Sequence, residues 1–224
     1  ITIKKNNKIF KFEPYVFDCW FESGCIPYAQ LHWPFENKDI IDSKSNFLSE
    51  FVAESQDQTG GWFYTLLVIS TAISDMAPFK NVICNGIITD EKGEKYSKSK
   101  GNSPDSFKLL DTYGSDVIRL YLLSSPVTRC EDLKFNITSL NETKQRFIMY
   151  INSVKFFVEN YINMCKILGC DDIGIIDHSS LISDFDKWIL EKSYILRLGV
   201  EHHMNSFHPD AAVKLIIDFF EDLA

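Results

Sequence analysis

From residue 138 to its end the chain repeats apolar residues at helical spacing with almost no glycine, whereas residues 51–135 interrupt short apolar runs with glycine-containing turns. The two patterns call for different architectures, because helices bury a stripe of period 3.6 and short buried strands need turns between them. The earlier region predicts an α/β arrangement and the later one a helical bundle. Residues 1–50 are mixed, with a lysine- and asparagine-rich start and a polar loop around Asn37 to Asn46. There is no internal repeat.

Within the α/β region, Gly61 to Ser74 reads as a buried helix ended by Pro78 and Phe79. Asn81 to Thr89 is short, apolar and rich in β-branched residues, which predicts one buried strand. Asp90 to Asn102 is polar and lysine-rich with Gly93 and Gly101, which predicts a mobile loop. Ser103-Pro104-Asp105 reads as a helix start with the serine as cap. Ser115-Asp116 opens another helix through Leu123, with Pro126 beyond its end. Three helices are expected after residue 136: about Asn141 to Ile167, about Phe185 to Met204, and one from Pro209. Phe147, Met149, Ile151, Val154, Phe157, Val158 and Tyr161 are the apolar positions of the first. Ala212, Leu215, Ile216, Phe219 and Leu223 form the stripe of the third.

Apolar residues make up 45% of the 224 and charged residues 24%, enough for a real core. The longest apolar stretch, Trp62 to Ile69, is too short to span a bilayer, so no membrane association is expected. The net charge of −8 argues against a large phosphate-binding face and leaves room for a local basic loop. Cys19, Cys25, Cys84, Cys130, Cys165 and Cys170 include no Cys-x-x-Cys pair and no histidine pair completes a set, so we expect thiols in a reducing compartment and no metal site. The chain starts at Ile1 and stops inside the amphipathic run Ile216 to Leu223, so both ends read as cut from a longer protein.

Three constellations carry chemistry. Lys95-Tyr96-Ser97-Lys98-Ser99 follows the expected strand directly. Two lysines three apart on a glycine-flanked loop can reach one polyphosphate and offset the charge that builds on departing pyrophosphate. Ser97 and Ser99 add hydroxyl donors. On charge alone a solvated lysine-rich turn is the simpler reading. Glu54, Asp57 and Gln58 stand just before the expected helix, where they could accept hydrogen bonds from ribose hydroxyls. Simple helix capping by Asp57 and Thr59 is the alternative. Phe17-Asp18-Cys19-Trp20-Phe21-Glu22-Ser23-Gly24 supplies one tryptophan and Gly61-Trp62-Phe63 another. A lone tryptophan is more often an ordinary core aromatic.

In order along the chain, these stretches resemble class I aminoacyl-tRNA synthetases. Asn85 to Asn102 resembles the family's second signature, K-M-S-K-S followed by one residue and Gly-Asn, with Tyr96 in place of methionine. Glu54-Ser55-Gln56-Asp57-Gln58-Thr59-Gly60-Gly61-Trp62-Phe63 resembles the isoleucine-specific form Glu-Gly-x-Asp-Gln-x-x-Gly-Trp-Phe. Ser55 stands there for the usual glycine and Gly60 for a common arginine. Phe17 to Gly24 resembles Leu-Asp-Val-Trp-Phe-Asp-Ser-Gly, with Glu22 for aspartate. Arg119 to Val127 and Glu131 to Phe135 resemble linker helices, and Ser183 to Leu190 the start of an anticodon-binding bundle.

The resemblance implies an α/β fold: the second half of a Rossmann-like catalytic domain over residues 1–135, then the start of a helical anticodon-binding domain over residues 136–224. It implies ATP-dependent activation of L-isoleucine and its transfer to tRNA(Ile), in the cytoplasm, with ATP and Mg2+. Lys95, Ser97 and Lys98 are the implied catalytic residues. Glu54, Asp57, Gln58, Lys95 and Lys98 would contact ATP or the adenylate, and Trp20, Trp62 and Gln58 the amino acid. Valyl, leucyl and methionyl enzymes share the lysine loop, and a non-catalytic tRNA-binding paralogue is a further alternative. The family's first signature, His-x-Gly-His, is absent, since His202 and His203 are adjacent in an expected surface helix. The 224 residues alone are therefore not expected to form adenylate. No partner within a multi-synthetase complex can be named from the residues.

Overall fold

The computed structural model describes residues 2–42, 49–97, 99–171 and 183–224. The chain divides into two units, Ile1–Val82 and Ile83–Ala224.

In the first unit, β1 (Thr2–Lys5) and β2 (Lys8–Lys11) pair antiparallel, with Thr2 opposite Lys11 and Lys5 opposite Lys8. Asn6 and Asn7 between them adopt φ of 52° and 58°. A two-residue turn with both residues left-handed matches strand twist, and asparagine tolerates that conformation. α1 (Cys19–Gly24) starts at Asp18, whose carboxylate accepts the Phe21 N–H at 2.9 Å. α2 (Ile26–Ala29) carries Pro27 in its first turn. α3 (Lys38–Asp42) occupies part of the segment expected as a polar loop, and the rest of that loop lies outside the described residues.

β3 (Phe51–Ser55) leads through a 3₁₀ turn, Gln56–Gly60, into α4 (Trp62–Ser74). The expected helix is present, with Gly61 as its cap rather than its first residue. α4 buries Leu66, Ile69, Ser70 and Ser74. The two serines are satisfied by the buried Tyr28 hydroxyl, 3.2 Å from Ser70 Oγ and 2.9 Å from Ser74 Oγ. Tyr28, Ile41 and Ile69 form the core, with Cys25, Leu31 and Trp33 against it. A Cβ at Gly24 would lie 2.7 Å from Ile69 Cδ1, so glycine there lets α1 lie against α4.

β4 (Asn81–Asn85) crosses the division, and β5 (Ile88–Thr89) follows. The single strand expected over Asn81 to Thr89 is therefore broken at Gly86 and Ile87. The Gly86 N–H is drawn to the Val127 carbonyl at 2.7 Å, and the Ile87 N–H to Asp132 Oδ1 at 3.0 Å. α5 (Ser106–Tyr113) is capped by Asp105, not by Ser103 as expected, because the Asp105 carboxylate accepts from Phe107 and Lys108. α6 (Ser115–Leu123) has the expected bounds. After a 3₁₀ turn over Pro126–Arg129, β6 (Leu133–Lys134) pairs parallel with β5. Val117, Tyr121, Val127, Leu133 and Leu140 make the core beneath.

Gly86 is a demanding position in this unit. A Cβ there would come within 1.9 Å of the Glu131 carbonyl oxygen, which is backbone and cannot swing away. Gly86→Ala should therefore destabilise the protein by about 1–3 kcal/mol, as overpacking does. Denaturant unfolding should show a lower midpoint, and an unchanged midpoint would contradict the contact.

α7 (Ile137–Leu168) begins four residues before the expected Asn141, because the Asn136 side chain accepts from the Thr138 and Ser139 N–H groups at 2.7 and 3.3 Å. α8 (Asp184–Asn205) opens on a capping box between Ser183 and Asp186. α9 (Pro209–Leu223) completes the described chain. Its deepest line is Ala212, Val213, Ile217 and Phe220, while the expected Leu215, Ile216, Phe219 and Leu223 are half-buried beside it. Phe220 stacks on Tyr150 of α7 at 4.7 Å, and Gly199 of α8 admits Leu215 closely. Of the apolar positions read for α7, Met149, Ile151, Val154, Phe157 and Val158 are exposed. A mixed α/β part followed by long helices is the expected class. Among the described residues, no helix is long and apolar enough to cross a membrane.

Candidate active site

The first unit holds an open cleft of about 520 Å³, lined by Trp20, Glu22, Ser23, Ile26, Glu54, Gln58 and Trp62. Its construction follows from local sequence. The end of β3 delivers Glu54, the 3₁₀ turn delivers Gln58, and the first residue of α4 is Trp62. Across the cleft, α1 delivers Trp20, Glu22 and Ser23. Two indoles and an isoleucine give it an apolar wall, and two carboxylates and an amide give it a polar rim.

The two walls are tied together. Trp62 Nε1–H donates to the Ser23 carbonyl at 3.1 Å, which fixes the indole plane against α1. Gln58 Oε1 accepts the Trp62 backbone N–H at 3.1 Å. Gln58 thus caps α4, a role sequence reading had offered to Asp57 and Thr59. Thr59 Oγ1 instead donates to the Gln56 carbonyl at 2.8 Å. A Cβ at Gly61 would fall 2.7 Å from Gln58 Oε1 and 3.4 Å from the Trp20 ring, so glycine there gives both side chains room. The Cys25 thiol is pushed up from its ordinary value by burial and then by the Glu22 charge.

Of the residues singled out in the sequence, Trp20, Glu54, Gln58 and Trp62 converge on this cleft. Asp57 is exposed on the same 3₁₀ turn and does not line the cleft. Ser23 and Ile26 were not singled out. For Ser23 the signal was available in the helical spacing, three residues from Trp20 on α1; Ile26 opens α2, and no spacing from Trp20 points to it.

The second unit carries the lysine loop. Lys95 is exposed and bridges back to Thr89, and Ser97 is half-buried. Lys98 lies outside the described residues. The loop between Asp90 and Asn102 closes on itself. Asp90 Oδ1 accepts the Lys92 and Glu94 N–H groups at 3.0 and 2.8 Å, and Asp90 Oδ2 accepts Asn102 Nδ2 at 3.0 Å. Asn102 also donates to the Lys95 carbonyl at 3.3 Å and accepts the Ser97 N–H at 2.9 Å. Ser97 Oγ and Ser99 Oγ are 2.8 Å apart. Outside, Lys100 pairs with Glu94 at 3.0 Å.

The Glu94 N–H, then the Asn102 amide, hold the Asp90 carboxyl below its ordinary range. The carboxylate is thus the form that this loop stabilises. Tyr96, in the place of the family's methionine, is half-buried. Burial, followed by the Asp90 charge, pushes its phenol up and keeps it neutral.

Residues 1–135 match the family model of class I tRNA synthetases (I, L, M and V). The chain is 42% identical over 223 residues to an isoleucine–tRNA ligase of Chlamydia muridarum and 40% identical over 223 residues to that of Chlamydia abortus. It is 41% identical over 225 residues to the isoleucine–tRNA ligase, cytoplasmic, of Caenorhabditis elegans. Each match covers 100% of this chain, which spans 21% of the length of the two bacterial relatives and 19% of the nematode one. Among solved structures, the ternary complex of Agrobacterium radiobacter K84 agnB2 LeuRS with tRNA and LeuAMS superposes with a TM-score of 0.71 at 17% identity. That match covers 98% of this chain and 28% of the other. At that identity the likeness is one of fold.

Proposed function

The chain belongs to the class I tRNA synthetases (I, L, M and V), and from that premise we propose that it is part of an isoleucine–tRNA ligase. One observation carries the reading: Trp20 on α1 lines one cleft with Glu54, Gln58 and Trp62 of the distant β3–α4 stretch. An aliphatic side chain has no polar handle, so a site selecting it must work by shape and dispersion, which two indoles and Ile26 supply. The rim supplies acceptors, with Glu54 placed for the hydroxyls and amines of an aminoacyl adenylate. Asp57, on the adjoining turn, is proposed as a further adenylate contact.

In the proposed reaction the isoleucine carboxylate attacks the α-phosphorus of ATP. An oxygen–phosphorus bond forms, the bond to the bridging oxygen breaks, and pyrophosphate leaves with the electron pair. Lys95 and Lys98 offset the charge gathering on the leaving group, and Ser97 donates to it. The aminoacyl group then passes to tRNA(Ile). Mg2+ is proposed as a companion of the ATP phosphates. Among the described residues no cluster of three or more His, Cys, Asp or Glu side chains could hold an ion. An ion that arrives with ATP is held mainly by the phosphates and water, with one or two carboxylates at most, and no step is assigned to it. We place the protein in the cytoplasm and the boundary between catalytic and anticodon-binding parts at residues 135 and 136. That boundary is supported by the end of the family match and the start of α7 at Ile137.

The test is ATP–pyrophosphate exchange by the full-length protein with isoleucine, valine, leucine and methionine in turn. Isoleucine should drive exchange most efficiently. Preference for another of the four, or no exchange with any, overturns the proposal.

A further inference from the structure

The lysine loop contains a polar device that the chemistry above does not use. Asp90 and Asn102 are twelve residues apart in sequence and joined side chain to side chain at 3.0 Å. Between them they engage the backbone at Lys92, Glu94, Lys95 and Ser97. Asp90 follows β5 directly, and the Thr89 carbonyl there accepts the Phe135 N–H at 2.9 Å, so this end of the loop is anchored to the β5–β6 framework. A further closure of the loop, Lys100 with Glu94, is an exposed ion pair, weak and screened by salt. Gly101, with φ of 62°, lets the chain turn back so that Asn102 can face Asp90.

We propose that Asp90 and Asn102 are positioning residues for amino-acid activation, a carboxylate–amide clasp that fixes the backbone at Lys95 and Ser97. The inference rests on the proposed function, because it assigns the clasp a task in that reaction. The backbone at these two residues sets where the Lys95 side chain starts and where the Ser97 hydroxyl points. A charge displaced by an ångström from the leaving phosphate loses much of its effect, which is why a positioning group registers in rate. The clasp has a defined polarity. Asn102 turns its NH2 toward Asp90 and the Lys95 carbonyl, and its oxygen toward the Ser97 N–H. An amide at position 90 would set NH2 against NH2. Flipping Asn102 to relieve that would set its NH2 against the Ser97 N–H. A carboxylate at position 102 would face the Asp90 carboxylate, with like charges in contact.

The polarity defines the experiment. Full-length protein is compared with Asp90→Asn, Asn102→Asp and the double exchange, by isoleucine-dependent ATP–pyrophosphate exchange and thermal melting. Each single change should lower kcat about tenfold or more, on the scale that misplacement of a reacting group costs. The KM for isoleucine should stay constant, because the cleft at Trp20 and Trp62 shares no residue with the clasp. The double exchange restores a donor at position 90 facing an acceptor at position 102, which still accepts the Ser97 N–H, but it leaves the Lys95 carbonyl without the donor it has in Asn102. It should therefore recover part of kcat, rising clearly above both single changes. Melting temperatures should stay close throughout. Singles with unaltered kcat, or kcat losses that follow melting temperature and persist in the double exchange, overturn the clasp while leaving the proposed function standing. Absence of exchange in the unaltered protein overturns the proposed function itself, and the positioning role with it.

Discussion

Lys98→Ala in the full-length protein should slow isoleucine activation by on the order of 10²–10³, about 3–4 kcal/mol of transition-state stabilisation, with little change in isoleucine affinity. The reasoning begins with charge. As the bond from the α-phosphorus to its bridging oxygen breaks, pyrophosphate gains negative charge that the ground state lacks. A cation held beside it therefore lowers the barrier more than it tightens binding. Lys98 is the second lysine of the loop and carries that assignment in our proposal. Lys95 is tied by its carbonyl to Asn102 and by a bridge to Thr89, which holds its backbone to the framework. Lys95→Ala should be the milder change if Lys95 mainly orders the loop. Rapid-quench measurement of adenylate formation separates the steps. An unchanged single-turnover rate constant in Lys98→Ala would sink the assignment, and a change confined to substrate affinity would recast Lys98 as a binding group.

The parts that sequence revealed and those it concealed differ by the range of the interactions that set them. α4 and α6 were legible because spacing and flanking residues are local signals. The β4–β5 break was not. It depends on Val127 and Asp132, some forty residues downstream, taking the Gly86 and Ile87 N–H groups out of a continuous ladder. The start of α7 was missed for a smaller reason, since Asn136, an ordinary capping residue, stands just outside the apolar spacing from which the helix was read. The α7 face is a third kind of case. Its apolar spacing is real, but α9 meets it around Phe147 and Tyr150, and Phe157 and Val158 stay exposed.

For the site, residue types and order pointed to Trp20, Glu54, Gln58 and Trp62, and the structure gathers those four around one cleft. What could not be read was how they hold one another. That Gln58 spends its carbonyl on the Trp62 N–H is a consequence of the 3₁₀ turn, and no residue pattern announces that turn. The same holds for the Trp62 indole reaching the Ser23 carbonyl, a contact across 39 residues.

That contact sharpens what Trp62→Phe should do. Phenylalanine keeps an aromatic wall but is smaller and has no N–H, so the Ser23 carbonyl loses its donor and the cleft gains space beside Trp20. Were Trp62 only a core residue, the change would cost stability, roughly 1–3 kcal/mol from lost packing and the lost hydrogen bond, and leave substrate preference alone. The half-buried indole lines the cleft with Trp20, which favours the other outcome. As a pocket wall, its truncation leaves a void against the isoleucine side chain. Dispersion contacts fall off steeply with a gap of even an ångström, so isoleucine should lose more than leucine, its isomer branched one carbon further out and able to reach into the space. One methylene is worth about 1–3 kcal/mol in such pockets, so the preference among isoleucine, valine and leucine should move by about tenfold or more. Activation efficiency for the three amino acids, measured alongside melting temperature in full-length Trp62→Phe and the unaltered protein, decides between the two. If all three fall by one common factor while the melting temperature drops, Trp62 is structural and the isoleucine pocket has to be sought elsewhere. If leucine gains on isoleucine with the melting temperature nearly held, the indole is the wall that selects the branching of the substrate.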